Sequence, residues 1–495
     1  MASRNVVAVD LGAESGRVML ARFDGSTLSL EVAHRFANGA RMSDGLLRWD
    51  VARLLDNISD GIRRAASLVD RVDSIGVDTW GVDYGFFDSE GKLLAEPVSH
   101  RDERTRGMIA AAAGKVGRER LYDSTGIQLN DINTIYQLLG ERQTPAGRKL
   151  QSQAAMLLLM PDIVHRQLCG SSVTEFTIAS TTGAYDMVDR RWATELLTDL
   201  GIPPHFLPEV VDAGTDLGPL LFSGGGALSR TRVIAPGCHD TASAVAGVPF
   251  ADPAAAYISS GTWSLVGVET LEPVITPVTR AANLANEGGV AGTIRLLSNC
   301  TGLWMLQECR RKWHEDGSSY DYAELVGLAR QAPAGGSLVN PNHGDFLRPG
   351  DMPARIADYC RRTGQPVPDG VGATVRCVLE SLALSYRLTV ENIAAAAGRP
   401  APLIHVVGGG SNNDLLNQLT ADAAGVPVHA GPVEATAYGN ALVQLGALGE
   451  LSGLAEMRDV VRASDRPRVT PPSGDAGWSE RYPQFRDYVR ADALT

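Results

Sequence analysis

Residues 6–9, Val-Val-Ala-Val, form a short apolar run rich in β-branched side chains, which predicts a buried strand. Residues 12–16 predict a glycine-rich turn and 18–23 a returning strand. Asp24-Gly25 is a turn signal, and 28–36 predict a third strand, so the chain opens as an antiparallel meander. Between Asp50 and Val69 the apolar positions Val51, Leu54, Leu55, Ile58, Ile62, Ala65, Ala66 and Val69 recur at helical spacing, with Asp50 as N-cap. Residues 74–78 predict another buried strand, and Phe86-Phe87 before Asp88-Ser89-Glu90-Gly91 a strand end and turn.

Stretches 154–165 and 177–186 continue a mixed α/β pattern. Residues 233–235 predict a strand ended by Pro236-Gly237, and 240–246 a helix of small residues. After Phe250-Ala251-Asp252-Pro253 the pattern starts again: strand 255–259, glycine turn 261–264, returning strand 265–269. This second hairpin echoes the first about half a chain later, with little shared sequence, as expected of two lobes with one hairpin each. Residues 373–397 predict a long helix, 403–407 a strand, Gly408-Gly409-Gly410 a turn, 413–425 a helix, 426–430 a strand and 434–445 a helix. From Asp459 the chain turns polar, and Trp478, Tyr482, Phe485 and Tyr488 predict a short docked C-terminal helix. The expected fold class is α/β, with lobes at 1–246 and 247–458 and a tail at 459–495 docked on them.

A chain of 495 residues has room for about two to four domains. With 45 basic and 57 acidic residues the net charge is −12, which disfavours nucleic acid or an anionic membrane as partner. An anionic substrate needs only a local positive site. No apolar stretch is long enough to span a bilayer. Only Lys92, Lys115, Lys149 and Lys312 are lysines, and none occupies G-x-x-x-x-G-K-[ST] or a V-A-I-K strand. Nucleotide phosphates, if bound, are bound without a P-loop lysine. The six cysteines make no C-x-x-C and no zinc spacing, so free thiols in a reducing cytoplasm are expected, a Cys360–Cys377 bridge being the alternative.

Asp10-Leu11-Gly12-Ala13-Glu14-Ser15-Gly16-Arg17 lies between two strands. A tight glycine turn lines up backbone N–H groups for an anion, Ser15 adds a hydroxyl, and Arg17 a fixed positive charge. Asp10 at the strand end could hold magnesium through water. A plain hairpin with a polar turn fits the same residues. Ser259-Ser260-Gly261-Thr262-Trp263-Ser264 repeats the logic. His405-Val406-Val407-Gly408-Gly409-Gly410 lets a flat ring or sugar approach the backbone. A dinucleotide fingerprint is disfavoured there, because Asn413 replaces its last glycine and the next strand ends without an acid. Asp240, in Gly237-Cys238-His239-Asp240-Thr241, reads either as an N-cap or as a general base for a sugar hydroxyl. Asp78-Thr79-Trp80-Gly81-Val82-Asp83 suits a sugar, with Trp80 as a plate and Asp83 for hydroxyls; the alternative is a core Trp80 beside a solvated Asp83. Arg101, Arg104 and Arg106 with Asp102 read as a solvated rim.

Taken in order, the hairpin, Asp-Thr-Trp-Gly, His-Asp-Thr, Ser-Gly-Thr-Trp-Ser and Val-Gly-Gly-Gly resemble the FGGY carbohydrate kinases, of the sugar kinase, heat-shock ATPase and actin superfamily. The resemblance runs from about Val6 to about Leu448 and includes Met160-Pro161-Asp162, Gly302-Leu303-Trp304, Asn340-Pro341-Asn342 and Gly431-Pro432-Val433-Glu434-Ala435. It implies two ribonuclease-H-like lobes with a cleft between them that takes ATP and a ketose. L-rhamnulose, phosphorylated at its 1-hydroxyl, is the nearest fit, with L-fuculose or xylulose, or a non-catalytic ATPase switch, as alternatives. Carried over by position, Asp240 is the base, and His239, Thr241, Gly81 and Asn299 touch the sugar. Ala13, Glu14, Ser15, Gly16, Arg17, Thr262, Gln307 and Gly409 hold ATP, and Asp10 lies near magnesium. Glu14 departs from the family pattern, which has a small hydroxyl residue there; it points outward or reaches the metal. The expected assembly is a cytoplasmic monomer or homodimer.

Overall fold

The computed structural model describes residues 3–221, 225–474 and 477–492. The chain forms two compact units. One holds Met1–Pro249, Glu269–Leu296 and Ala435–Asp465; the other holds Phe250–Val268, Leu297–Glu434 and Arg466–Thr495.

The first unit is built on a six-stranded sheet in the order Asp216–Pro219, Arg232–Ile234, Ser74–Thr79, Arg4–Leu11, Ser15–Phe23, Leu28–Ala37. Its three middle strands, from Arg232–Ile234 to Arg4–Leu11, run parallel, and the opening meander is antiparallel. Parallel strands are covered on both faces, which is why residues 6–9 are apolar without alternation. Val7, Val9 and Leu11 face the helix Val51–Ala66 through Leu54, Ile58 and Ile62. The side chain of Asp50 caps that helix by accepting from Arg53 N, as the sequence predicts. Val6 and Ala8 face the opposite way, toward the helix Ala435–Ala447 through Ala437, Ala441 and Leu442.

That second helix is polar where it meets the sheet. Gln444 Nε2 donates to Val7 O and to Asn440 Oδ1, and Ser74 Oγ donates to Gln444 Oε1. Gly76 leaves room for this, since a Cβ there would lie 2.6 Å from Asn440 Oδ1. Further along, the helix meets Asp240–Ala246 backbone to backbone: a Cβ on Gly439 would lie 1.7 Å from Ser243 O, and one on Gly247 2.3 Å from Ala435 O.

In the second unit Ala256–Ser260 pairs antiparallel with Trp263–Thr270 and parallel with Ile404–Val407, which pairs parallel with Val428–Ala430. The expected echo of the first hairpin is present. The long helix Gly370–Ala397 packs on Asp414–Ala424 and on the C-terminal helix Gly477–Asp492. Arg387 stacks 3.7 Å over Tyr482, and Arg481 pairs with the buried Glu380. The stretch from Asp459 is more structured than its polarity suggests. Helix Leu454–Ser464 buries Met457, Val460 and Val461, a narrow stripe that the surrounding charges mask, and Arg468–Thr470 adds an edge strand. All six cysteines are free thiols. No helix among the described residues is long and apolar enough to cross a membrane.

Candidate active site

Three parallel strands of the first unit end together. Thr79 N donates to Cys238 O, and Trp80 N to Leu11 O, so the turns after Leu11, Thr79 and Ile234 share one edge. In open α/β sheets this carboxyl edge is where ligands bind. The hairpin there is tight: Gly12 N donates to Ser15 O, and Asn38 Nδ2 to Gly12 O. Gly16 has no room for a Cβ, which would lie 2.4 Å from the Phe36 ring. Ser15 is exposed and Ala13 half-buried. Glu14 points outward and is paired with Arg101 at 3.3 Å.

Arg17 Nε donates to Asp10 Oδ2 at 2.9 Å. The neighbouring Asp78 is fully buried and held by Asn440, and its Oδ1 has no hydrogen-bond partner. Burial first, and then the charge of Asp10, push Asp78 well above the ordinary carboxylate range. A divalent cation would relieve that repulsion. The described residues hold no cluster of three or more metal-ligating side chains. Asp10, at the strand end, fits a magnesium ion that it would reach through water, the ion keeping water and phosphate as its ligands.

Residues 237–240 are braced from below. Glu175 Oε2 accepts from Cys238 N and Thr177 Oγ1, and His239 N donates to Thr177 Oγ1. Burial pushes Glu175 up to about 7 against the pull of those donors. The N-cap reading of Asp240 is not what the structure shows. His239 occupies the N-cap without a side-chain bond, and Asp240 is the first helical residue. Its carboxylate, 31% exposed, lies 3.5 Å from His239 Nε2 and accepts from Thr241 Oγ1 at 3.0 Å. It is thus a half-open carboxylate on a rigid element, with capacity to take a proton.

Asp83 is buried, contrary to the solvated alternative. Its Oδ2 accepts from Trp49 Nε1 at 2.7 Å and Trp80 Nε1 at 2.9 Å, and meets His100 Nδ1 at 2.9 Å. Trp80 is buried against Trp49, ring centroids 4.3 Å apart. Val82, between Gly81 and Asp83, holds φ +69°, a strained conformation for a β-branched residue. It is clamped by Thr181 Oγ1 at its N–H and Thr134 Oγ1 at its carbonyl. Gly81 lies against Thr181, 3.1 Å from where its Cβ would be. Burial raises Asp83, but His100 and the two indoles outweigh it and leave the carboxyl below its usual range. It therefore adds stability above about pH 4 that is lost as the pH falls through its folded value. Asp83→Ala strands two buried indole N–H groups and should destabilise the protein by about 2–4 kcal/mol, read as a lower denaturation midpoint. An unchanged midpoint would show that water replaces the carboxylate. The Arg rim also differs from expectation: Arg104 is largely buried and donates to Ser99 O, Val98 O and Gln137 Oε1, because the backbone of 98–99 leaves its carbonyls inward.

In the second unit Gln307 Nε2 donates to Thr262 Oγ1 at 3.2 Å, and Trp304 N to Thr262 O. Gly408, at φ +82°, and Gly410 press on Ser260: their Cβ positions lie 2.9 Å from its carbonyl oxygen and 2.0 Å from its Oγ. Gly409 between them is exposed with open space above it. Asn299 is half-buried on the strand Ile294–Thr301. The structure thus brings Asp10, Arg17, Gly81, His239, Asp240 and Thr241 to one edge of the first unit. Thr262 and Gly409 belong to the turns of the second unit, and Gln307 to its helix Trp304–Glu315.

Sequence reasoning missed Glu287 and Arg295, both buried beside His239. Their one signal is a charged residue inside the apolar run Thr-Ile-Arg-Leu-Leu. It missed Glu175 and Thr177 as well, whose role exists only through backbone groups distant in sequence.

Residues 5–247 match the N-terminal domain, and 256–448 the C-terminal domain, of the FGGY family of carbohydrate kinases. The chain is 43% identical over 492 residues to a rhamnulokinase of Bacteroides thetaiotaomicron, covering 98% of this chain and 100% of that one. It is 42% identical over 466 residues to a rhamnulokinase of Enterococcus faecalis, covering 93% of each. Among solved structures it resembles a xylulose kinase from Lactobacillus acidophilus, with TM-score 0.79, 18% identity and 99% and 98% of the two chains covered. It also resembles a Plasmodium falciparum glycerol kinase with ADP, with TM-score 0.78, 16% identity and 99% and 98% covered. These likenesses show the fold, and the expected two-domain α/β class holds.

Proposed function

The chain belongs to the FGGY family of carbohydrate kinases, and from that premise we propose that it phosphorylates L-rhamnulose at its 1-hydroxyl, consuming ATP and releasing ADP. The chemistry rests on one observation above all: a half-exposed Asp240 carboxylate, not engaged in capping, at the carboxyl edge of the parallel strands. The choice of ketose rests on the rhamnulokinases that match along nearly the whole chain.

Asp240 accepts the proton of the 1-hydroxyl as that oxygen attacks the γ-phosphorus in line and ADP leaves. His239, Thr241, Gly81 and Asn299 contact the sugar. Trp80 and Asp83, both buried, support it from beneath. The hairpin of Ala13, Glu14, Ser15, Gly16 and Arg17, with Thr262, Gln307 and Gly409, holds ATP. Within it Glu14 serves through its backbone, since its carboxylate is turned to Arg101. Magnesium, held by Asp10 through water, supplies charge neutralisation for the phosphates when bound. Phosphoryl transfer needs mainly positioning and electrostatic stabilisation, and the braced turns supply rigid backbone for both. We place the reaction in the cytoplasm.

A coupled ADP-release assay with magnesium-ATP tests this against L-rhamnulose, L-fuculose, L-xylulose, D-xylulose, L-ribulose, glycerol and no sugar. L-rhamnulose is expected to give the highest kcat/KM. Another preferred sugar would move the substrate and keep the mechanism. ADP release indifferent to sugar would overturn the kinase reading in favour of an ATPase switch.

A further inference from the structure

Arg295 is fully buried in the first unit, flanked by Ile294 and Leu296. A guanidinium so placed requires a counter-charge and acceptors. Glu287, 5% exposed, supplies the charge, its Oε2 lying 3.1 Å from Arg295 Nη2. Arg295 Nε donates to Gly288 O at 2.8 Å. Its Nη2 meets His239 Nδ1 at 3.1 Å in hydrogen-bond alignment. Glu287 Oε2 is as near to that nitrogen, at 3.2 Å, and His239 and Arg295 together hold its carboxyl below the usual range, but of the two contacts to Nδ1 only that of Arg295 is in hydrogen-bond alignment.

Arginine only donates and stays charged. The nitrogen facing it must therefore be bare, which leaves the imidazole proton on Nε2. A doubly protonated ring would set one N–H, and a second positive charge, against the guanidinium. The Nε2 edge points the other way, 3.5 Å from Asp240 Oδ1. We infer that Arg295, with Glu287 as its counter-charge, fixes His239 as the Nε2–H tautomer, and that this N–H positions the Asp240 carboxylate for proton abstraction. Arg295 and Glu287 are positioning residues that act through His239. The second half of the inference rests on the reading of Asp240 as the base; the tautomer does not. The 3.5 Å separation is long for a hydrogen bond, as is common before substrate draws a catalytic group in. An N–H drawn onto a carboxylate favours its ionised form, the one a base needs.

Selective ¹⁵N-histidine labelling of the full-length enzyme tests the tautomer directly, with the His239 signals identified by their loss in His239→Gln. A bare Nδ1 and a protonated Nε2 are expected at neutral pH without substrates. A protonated Nδ1 overturns the inference, whatever Asp240 does. A kinetic arm tests the positioning. Glutamine can place its amide N–H near the Nε2 position and asparagine near Nδ1. His239→Gln is therefore expected to keep a kcat at least about tenfold above that of His239→Asn, out of an overall loss of about 100-fold for a misplaced base. Equal values or the reverse order overturn the positioning role. Arg295→Lys keeps the charge and loses the fork. It should lower kcat about 100-fold with KM for ATP unchanged, and should shift the His239 ring signals. Native kcat with native ring signals in that variant counts against the inference. Should Arg295→Lys not fold, the wild-type spectrum and the Gln/Asn comparison still decide. Full turnover in Asp240→Asn, alongside a wild-type spectrum of the expected form, would remove the base and leave the tautomer standing.

Discussion

Asp240→Asn is expected to lower kcat by about 10²–10⁴-fold and to leave ATP affinity unchanged. The substitution preserves shape. The amide oxygen of the new side chain would still accept from Thr241 Oγ1 as the carboxylate does, so neither a cavity nor an orphaned donor results. What is lost is the capacity to take a proton, which matters only as the hydroxyl attacks. An interaction made in the transition state alone lowers kcat and kcat/KM together. The braced turns and phosphate contacts remain, so a residual rate should survive. Steady-state ADP release with L-rhamnulose, beside ATP titration calorimetry, reads both quantities. A kcat within about threefold of wild type would remove Asp240 as the base, since general-base catalysis is worth far more than that.

The second large effect is remote from the chemistry. Gly439→Ala adds one methyl group where two helices touch through their backbones. Its carbon would lie 1.7 Å from Ser243 O and 2.6 Å from Ser243 C, neither of which can rotate away. Alanine favours a helix over glycine by about 1 kcal/mol. Overpacking of about 3 kcal/mol or more against rigid backbone should outweigh that gain, leaving a net loss of about 2 kcal/mol. The helix that must yield begins with Asp240. A shift of about 1 Å there can cost about 100-fold in rate. Gly439→Ala should therefore show a lower denaturation midpoint together with a fall in kcat/KM. Native activity with a native midpoint would mean that the two helices can part freely.

Much of the fold was legible because short-range physics wrote it. The apolar run at 6–9, the Asp50 cap and the small-residue helix at 240–246 follow from neighbours a few positions apart. The two hairpins were readable because a glycine turn between apolar strands has few alternatives. What was hidden depends on distant partners. Asp83 reads as a surface acid until Trp49, Trp80 and His100 close over it. Asn440 and Gln444 sit in an ordinary helical stretch, and only the missing side chain of Gly76 gives them a place. Helix Leu454–Ser464 was lost among charges because three buried residues carry it. In the site, hydroxyl and glycine positions were visible as motifs. The bracing of His239 by Thr177, Glu287 and Arg295 was not, because it joins segments about 50 or more residues apart in one packed unit.

The helix Ala435–Ala447 also sets a schedule. It belongs to the first unit, yet the ribosome makes it about 190 residues after Pro249 closes that unit's main stretch. At about 5–20 residues per second that is a wait of roughly 10–40 s. During it the face of Val6 and Ala8 lacks its cover, Asp78 lacks Asn440, and the helix of Asp240 has nothing against Gly247. Through that interval the nascent first unit carries an uncovered apolar face, the kind of surface on which chaperones and aggregation compete. Asp240 is thus among the last features of the first unit to be set in place, although most of its surroundings are made early.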